Sequence, residues 1–254
     1  MSATWSALRG DSWAAAVGEL LEPPDLPAWM EKHTRVVKRD THSCVGSLSV
    51  QGRHCFLKYY RHKGLLQRLQ FRLGRGRAVN SFDNARALRA AGLEVPEPLA
   101  CLRVPGGMLL LTEGIERSAD LKSLWLEGPA DTRLEQLMQH AGAALAALHN
   151  AGFSHGDCKW SNFLVAGERM YLIDLEAVSS CHKTGEECAR DLARFTLNAE
   201  DMGLSRLLYN AFLGTYAEAM GILPGDVTSR MAARLSRLRQ RHLEKYGQRG
   251  HQLV

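Results

Sequence analysis

In two stretches between residues 34 and 60 apolar and polar positions alternate. From Thr34 to Val50, and again from His54 to Tyr60, β-branched and aromatic residues alternate with polar ones around Gly46 and Gln51-Gly52. That alternation predicts two or three antiparallel strands joined by tight turns. Leu65 to Ala91 has a helical pattern, interrupted near Gly74-Arg75-Gly76 and stopped at Gly92. Val95 to Pro98 reads as a loop, and Leu99–Val104 with Met108–Thr112 as a hairpin around Pro105-Gly106-Gly107. After Gly114 the period lengthens. Asp120 to Leu126 and Leu134 to Asn150 show the i, i+3, i+4 spacing of buried helices. Phe163–Val165 and Met170–Ile173 form a short hairpin, and the chain from Glu186 onward reads as helix. The first residues predict short helices broken at Pro23, Pro24 and Pro27. A β-rich part followed by an α-rich part is an α+β plan with two lobes. We expect an N-terminal extension over 1–33, a small β-rich N-lobe over 34–114 and a larger α-helical C-lobe over 115–254.

Composition narrows this plan little. A chain of 254 residues, 45% hydrophobic and 23% charged, can bury its own core. No stretch approaches the roughly 18 uninterrupted apolar residues of a membrane span. Met1 to Leu21 lacks a basic region ahead of an apolar block, so it does not read as a secretory signal and a cytosolic protein is expected. The six cysteines include no CxxC pair; Cys181 and Cys188, with His182 beside the first, are too widely spaced for a usual zinc site, and free thiols are expected.

Charge adds more. The net charge is +5, but Tyr59 to Arg77 holds Arg61, Lys63, Arg68, Arg72, Arg75 and Arg77 with no acid, interleaved with leucines and Phe71. Arg230 to Arg249 repeats the theme. A solvated face is the plain interpretation of such runs. The apolar second face favours an anionic membrane or glycolipid. Nucleic acid is not expected, because no aromatic-interleaved surface accompanies the charge.

The chemistry sits in His155-Gly-Asp-Cys-Lys-Trp-Ser-Asn162, which follows a predicted core helix and precedes a hairpin ending in Ile173-Asp174-Leu175. Phosphoryl transfer requires positioning and charge neutralisation more than covalent chemistry. Asp157 is placed to hold an acceptor hydroxyl and take its proton. Lys159, two residues on, can neutralise a γ-phosphate. Asn162 and Asp174 offer the oxygen ligands that Mg2+ prefers, its remaining positions being completed by phosphate oxygens and water. HxD alone is a weak signal, and a surface loop with two unrelated aspartates is the bland alternative. HxDxKxxN followed by eleven residues, the last two of them apolar, and then Asp is specific. It resembles the catalytic-loop and metal-binding signatures of protein-kinase-like enzymes. The likeness implies a protein-kinase-like two-lobed fold and ATP with Mg2+ as cofactors.

The same resemblance implies a phosphate-gripping lysine on the third N-lobe strand, which matches Lys58, and a nucleotide-binding position at the lobe junction, which matches Glu113. A glutamate should pair with Lys58 from the helix before Gly92. Between Arg77 and Arg89 the only acid is Asp83, so Asp83 serves or the partner is missing. The phosphate-covering loop, Arg39 to Gly46, holds one glycine, leaving Thr41, Ser43 and backbone to do its work. These departures keep a pseudokinase scaffold open. Gly156 stands where an arginine would await an activation-loop phosphate, and only 16 residues separate Asp174 from Asp191. That leaves no room for a peptide-docking segment, so no peptide substrate is expected. Asp191 is either a brace for the catalytic loop or an exposed acid near a helix start.

Within this superfamily the chain resembles the bacterial lipopolysaccharide core kinases from about Thr34 to Ala219. The likeness rests on the basic Leu-Arg stretch, Gly-Leu-Glu-Val-Pro96, His-Gly-Asp-Cys-Lys-Trp-Ser-Asn162, Leu-Ile-Asp-Leu175 and Arg-Asp-Leu-Ala193. It implies phosphorylation of a heptose or 3-deoxy-octulosonic acid (Kdo) hydroxyl on the inner-core glycolipid at the cytoplasmic face of the inner membrane, with Tyr59–Arg77 against the anionic surface. A soluble small-molecule acceptor, as in aminoglycoside kinases, is the alternative.

Overall fold

A computed structural model describes residues 5–21, 25–62, 64, 71, 73–247 and 250–254. The chain divides into two compact units, residues 1–90 with 95–116 and residues 91–94 with 117–254.

The first unit is a six-stranded antiparallel sheet. Its strands are β1 (Ser6–Arg9), β2 (Arg35–Arg39), β3 (Ser43–Val50), β4 (Arg53–Arg61), β5 (Pro98–Val104) and β6 (Gly107–Glu113), in the order β1-β5-β6-β4-β3-β2. The period-2 pattern sorts β4 cleanly. Leu57 and Tyr59 point to one face, into a core with Leu102, Leu109 and Leu111. Tyr60 points to the other, where it packs with Phe82, Cys101, Met108 and Leu110. Helix α1 (Asp11–Gly18) and α2 (Leu26–His33) cover the first face through Ala14, Val17, Trp29 and Met30, while α3 (Arg77–Ala90) covers the second through Ala78, Val79 and Phe82.

This corrects the expectation for residues 1–33. Within the described residues they are not an extension: β1 extends the sheet against β5, pairing Ser6 with Arg103 and Ala7 with Leu102. The short helices behind it bury apolar side chains that the sheet would otherwise expose to water. Residues 65–70 and 72 of the expected helix over Leu65–Ala91 lie outside the described residues; α3 itself begins at Arg77 and stops at Ala90, with Gly92 in a left-handed conformation (φ 79°).

The second unit is mainly helical: α4 (Leu121–Leu126), α5 (Asp131–Asn150), α6 (Glu186–Asp201), α7 (Arg206–Met220) and α8 (Pro224–Tyr246). The expected single helical run after Glu186 is three helices. Ser205 caps α7, its hydroxyl accepting from the Leu208 N–H, and a left-handed Gly221 ends it. A Cβ at Gly142 of α5 would sit 2.5 Å from the Phe212 carbonyl oxygen, so only glycine permits the close crossing of α5 and α7. Between α5 and α6 lie β8 (Phe153–Ser154), the hairpin β9 (Phe163–Ala166) and β10 (Arg169–Leu172), and β11 (Ser179–Ser180); β9 also pairs with β7 (Ala119–Asp120). Phe195 of α6 is the hub of the core, stacked on Phe212 at 4.0 Å between centroids and in contact with Trp160 and Phe163. Among the described residues no helix is long and apolar enough to cross a membrane.

Candidate active site

One stripe of α6 holds the loop that carries His155 to Asn162. Asp191, Arg194 and Asn198 are spaced i, i+3, i+7, so they share a helix face. Asp191 is fully buried and accepts hydrogen bonds from the backbone N–H of His155 (2.5 Å) and of Gly156 (2.9 Å). Arg194 Nη1 donates to Asp157 Oδ1 at 2.5 Å, and Asn198 Oδ1 accepts from the Trp160 N–H at 3.0 Å. Asp191 thus braces the loop and is not an exposed acid. His149 Nε2 lies 3.4 Å from the same carboxylate, and its Nδ1 meets the Tyr216 hydroxyl at 2.7 Å.

The loop's own residues complete the cage. Gly156 is left-handed (φ 78°), and a Cβ there would lie 2.4 Å from the Ala177 carbonyl oxygen. His155 is buried, and its Nε2 lies 3.0 Å from the Ile173 carbonyl oxygen, which requires that nitrogen to carry the proton. Burial pushes its pKa below 6.5 and keeps the ring neutral. The Ile173 N–H donates to the Asn162 carbonyl, so the loop and the strand end before Asp174 are tied at both residues. Trp160, buried, anchors the loop between Phe195 and Trp125.

Four residues singled out by spacing meet here. Asp157 receives Lys159 Nζ on Oδ2 at 2.7 Å and Arg194 on Oδ1. Burial opposes its ionisation, but Lys159 and then Arg194 outweigh it and hold the carboxyl below the usual carboxylate range. The Asn162 side chain donates through Nδ2 to the Asp157 carbonyl oxygen (2.8 Å) and to Oδ2 (3.3 Å), which leaves its Oδ1 lone pairs for a cation. Asp174 follows β10 in a left-handed conformation (φ 63°), uncommon for a residue with a side chain and typical of functional positions. Two hard oxygen donors of this kind fit Mg2+.

Within the first unit, Lys58 lies in the middle of β4 opposite Leu110 and hence on the α3 face, with Nζ 4.8 Å from the Tyr60 ring centroid. One expectation needs correction. Asp83 does not serve Lys58: its two carboxylate oxygens accept from Arg9 Nε and Nη2, both at 2.9 Å. Arg9 arrives on β1, the strand that sequence did not predict. The Glu113 carboxylate accepts from Arg53 Nη2 (2.7 Å) and from the Glu97 N–H (2.8 Å), which fixes the start of β5. At the β2–β3 turn, Asp40 accepts from the N–H of His42 (2.7 Å) and Ser43 (2.8 Å) and from the Ser43 hydroxyl (2.7 Å). This side-chain-closed turn stands where a glycine-rich loop was sought. The Cys181 and Cys188 sulfurs lie 3.3 Å apart as free thiols, and no group of three or more metal-ligating side chains is present among the described residues.

A family model, the lipopolysaccharide kinase (Kdo/WaaP) family, matches residues 27–216. The chain belongs to this family. It is therefore a phosphotransferase with an alcohol group as acceptor, in the protein-kinase-like superfamily. Among its relatives is the 3-deoxy-D-manno-octulosonic acid kinase of Vibrio parahaemolyticus, 30% identical over 178 residues that span 62% of this chain and 72% of that enzyme. The lipopolysaccharide core heptose(I) kinase WaaP of Pseudomonas aeruginosa is 30% identical over 120 residues, 42% of this chain and 45% of that one. A solved structure of WaaP in complex with acyl carrier protein superposes with a TM-score of 0.60 at 22% identity, covering 87% of this chain and 93% of the other, and shows the shared fold.

Arg194 escaped the sequence reading. Its signal is present in hindsight as Asp191-x-x-Arg194, one face of the helix that holds the loop.

Proposed function

We propose that this lipopolysaccharide-kinase-family protein transfers the γ-phosphate of ATP to a hydroxyl of a heptose or Kdo sugar in the lipopolysaccharide inner core. The observation that carries this is Asp157, fixed through Gly156 and His155 to a buried aspartate yet itself partly open to solvent (30% side-chain exposure). Asp157 takes the proton of the acceptor hydroxyl. Lys58 and Lys159 neutralise phosphate charge, and Asn162 Oδ1 with the Asp174 carboxylate would hold Mg2+. Bound there, the metal supplies charge neutralisation to the transferred phosphoryl group.

The acceptor being a membrane glycolipid, the protein works at the cytoplasmic face of the inner membrane as a peripheral enzyme. Much of the Tyr59–Arg77 stretch lies outside the described residues. Helix α8 supports the same reading, since Arg230, Arg234, Arg237, Arg241 and Lys245 fall on one side of it, over about 22 Å at the α-helical rise. Exposed Leu243 and Tyr246 lie near its end. Each such cation contributes about 1 kcal/mol near an anionic surface.

Lipopolysaccharide from a strain lacking the protein should lose one core phosphate in its mass spectrum and regain it with the wild-type chain but not with Asp157→Ala. An unchanged spectrum would remove the lipopolysaccharide core as the acceptor. Binding to anionic but not to zwitterionic vesicles separates this from a soluble small-molecule kinase.

A further inference from the structure

Asp157 is the proton acceptor of the reaction, yet both of its oxygens are covered by cations: Lys159 on Oδ2 and Arg194 on Oδ1. Neither cation is buried; their side chains are 37% and 40% exposed. An acceptor hydroxyl must therefore compete for this carboxylate with two charged donors that already hold its oxygens. Lys159 has a natural destination in the γ-phosphate. Arg194 has none in the nucleotide chemistry already described. Among the described residues its only hydrogen bond is the one from Nη1 to Asp157, and its Nε is buried without a partner. A guanidinium carries five N–H donors in a planar fork that matches a carboxylate.

We propose that Arg194 selects the acceptor by its carboxylate: on binding a sugar acid, the guanidinium turns from Asp157 Oδ1 to the sugar's carboxylate, and the oxygen it leaves receives the hydroxyl. This rests on the lipopolysaccharide-core reading above and sharpens it, because it chooses the sugar acid over the neutral heptose. Positive charge beside the base also explains why a polycationic aminoglycoside is a poor candidate: it would be repelled where an anion is drawn in. The exchange balances charge, since Arg194 keeps one carboxylate partner throughout. A neutral acceptor supplies no such partner and leaves the base occupied.

The test uses the full chain and two acceptors: lipid A carrying one 3-deoxy-D-manno-octulosonic acid residue, and the same molecule with its carboxyl reduced to the alcohol. Wild type should favour the acid in kcat/KM by about 10- to 100-fold, the range expected for losing a hydrogen-bonded charge. In Arg194→Gln that preference should collapse to within about threefold, with Arg194→Lys, which keeps charge but not the fork, in between. A structural role for Arg194 predicts instead that both acceptors lose equally and the ratio stays at its wild-type value, which would overturn the proposal. Equal use of both acceptors by wild type would overturn it as well while leaving the kinase reading intact. Activity on neither acceptor would remove the sugar-acid reading and the proposal together.

Discussion

The loop over residues 155–162 and the β2–β3 turn are built in opposite ways. The loop 155–162 in the second unit is tied residue by residue to α6, through Asp191 and Asn198, and into the aromatic core through Trp160. The β2–β3 turn in the first unit is closed by one exposed carboxylate, Asp40, bonding only to residues two and three positions away. Buried, charge-assisted hydrogen bonds hold a geometry firmly because leaving them unmade is expensive. Local bonds at a solvent-exposed hairpin tip exchange readily with water and permit opening. The loop of the second unit is therefore the rigid one, and the turn of the first unit the compliant one.

Substitutions on the two loops should reproduce that contrast. Asp191→Ala leaves two buried N–H groups unpaired and should lower stability by about 3–5 kcal/mol and turnover by more than about 100-fold, read from denaturant melts and initial rates. A stability change under about 1 kcal/mol would return Asp191 to the role of a surface acid. Gly156→Ala should cost about 2 kcal/mol, since it combines a positive φ with a collision against the Ala177 carbonyl. Asp40→Ala should cost under about 1 kcal/mol and raise the KM for ATP a few-fold with kcat held. A loss of kcat comparable to that of Asp191→Ala would end the distinction between the loops.

The smallest effect is one of pH. The folded pKa of His155 lies below its ordinary 6.5, so unfolding takes up a proton as the pH falls beneath that value. Its neutral ring contributes full stability above about pH 6.5 and progressively less below, by at most about 1.4 kcal/mol per pH unit. Comparing melts of wild type and His155→Asn from pH 7 to pH 5 should show the wild type's slope reduced in the variant.

Much of this was legible before the structure. Period-2 alternation located β3 and β4, the Pro105-Gly106-Gly107 turn located β5 and β6, and the spacing of His155, Asp157, Lys159, Asn162 and Asp174 marked the loop that α6 holds, because all three are local patterns. What sequence hid depends on contacts across long separations. Strand β1 is four residues that become a strand only when β5 is beside them, and the partner of Asp83 lies 74 positions away in Arg9. Glu113 looked free for a ligand because nothing local marks Arg53 as its partner. Arg194 was hidden for a different reason: an arginine on a helix carrying other charges is usually solvated, and only the helix's orientation shows what it faces.

The most direct test of the central claim is Asp157→Ala, assayed for phosphate transfer to Kdo-bearing lipid A alongside equilibrium binding of ATP with Mg2+. We predict that transfer falls by about 100- to 10,000-fold, the contribution of a positioned general base, while ATP affinity stays within about threefold. Turnover near the wild-type rate on that acceptor would contradict the assignment of Asp157 as the proton acceptor.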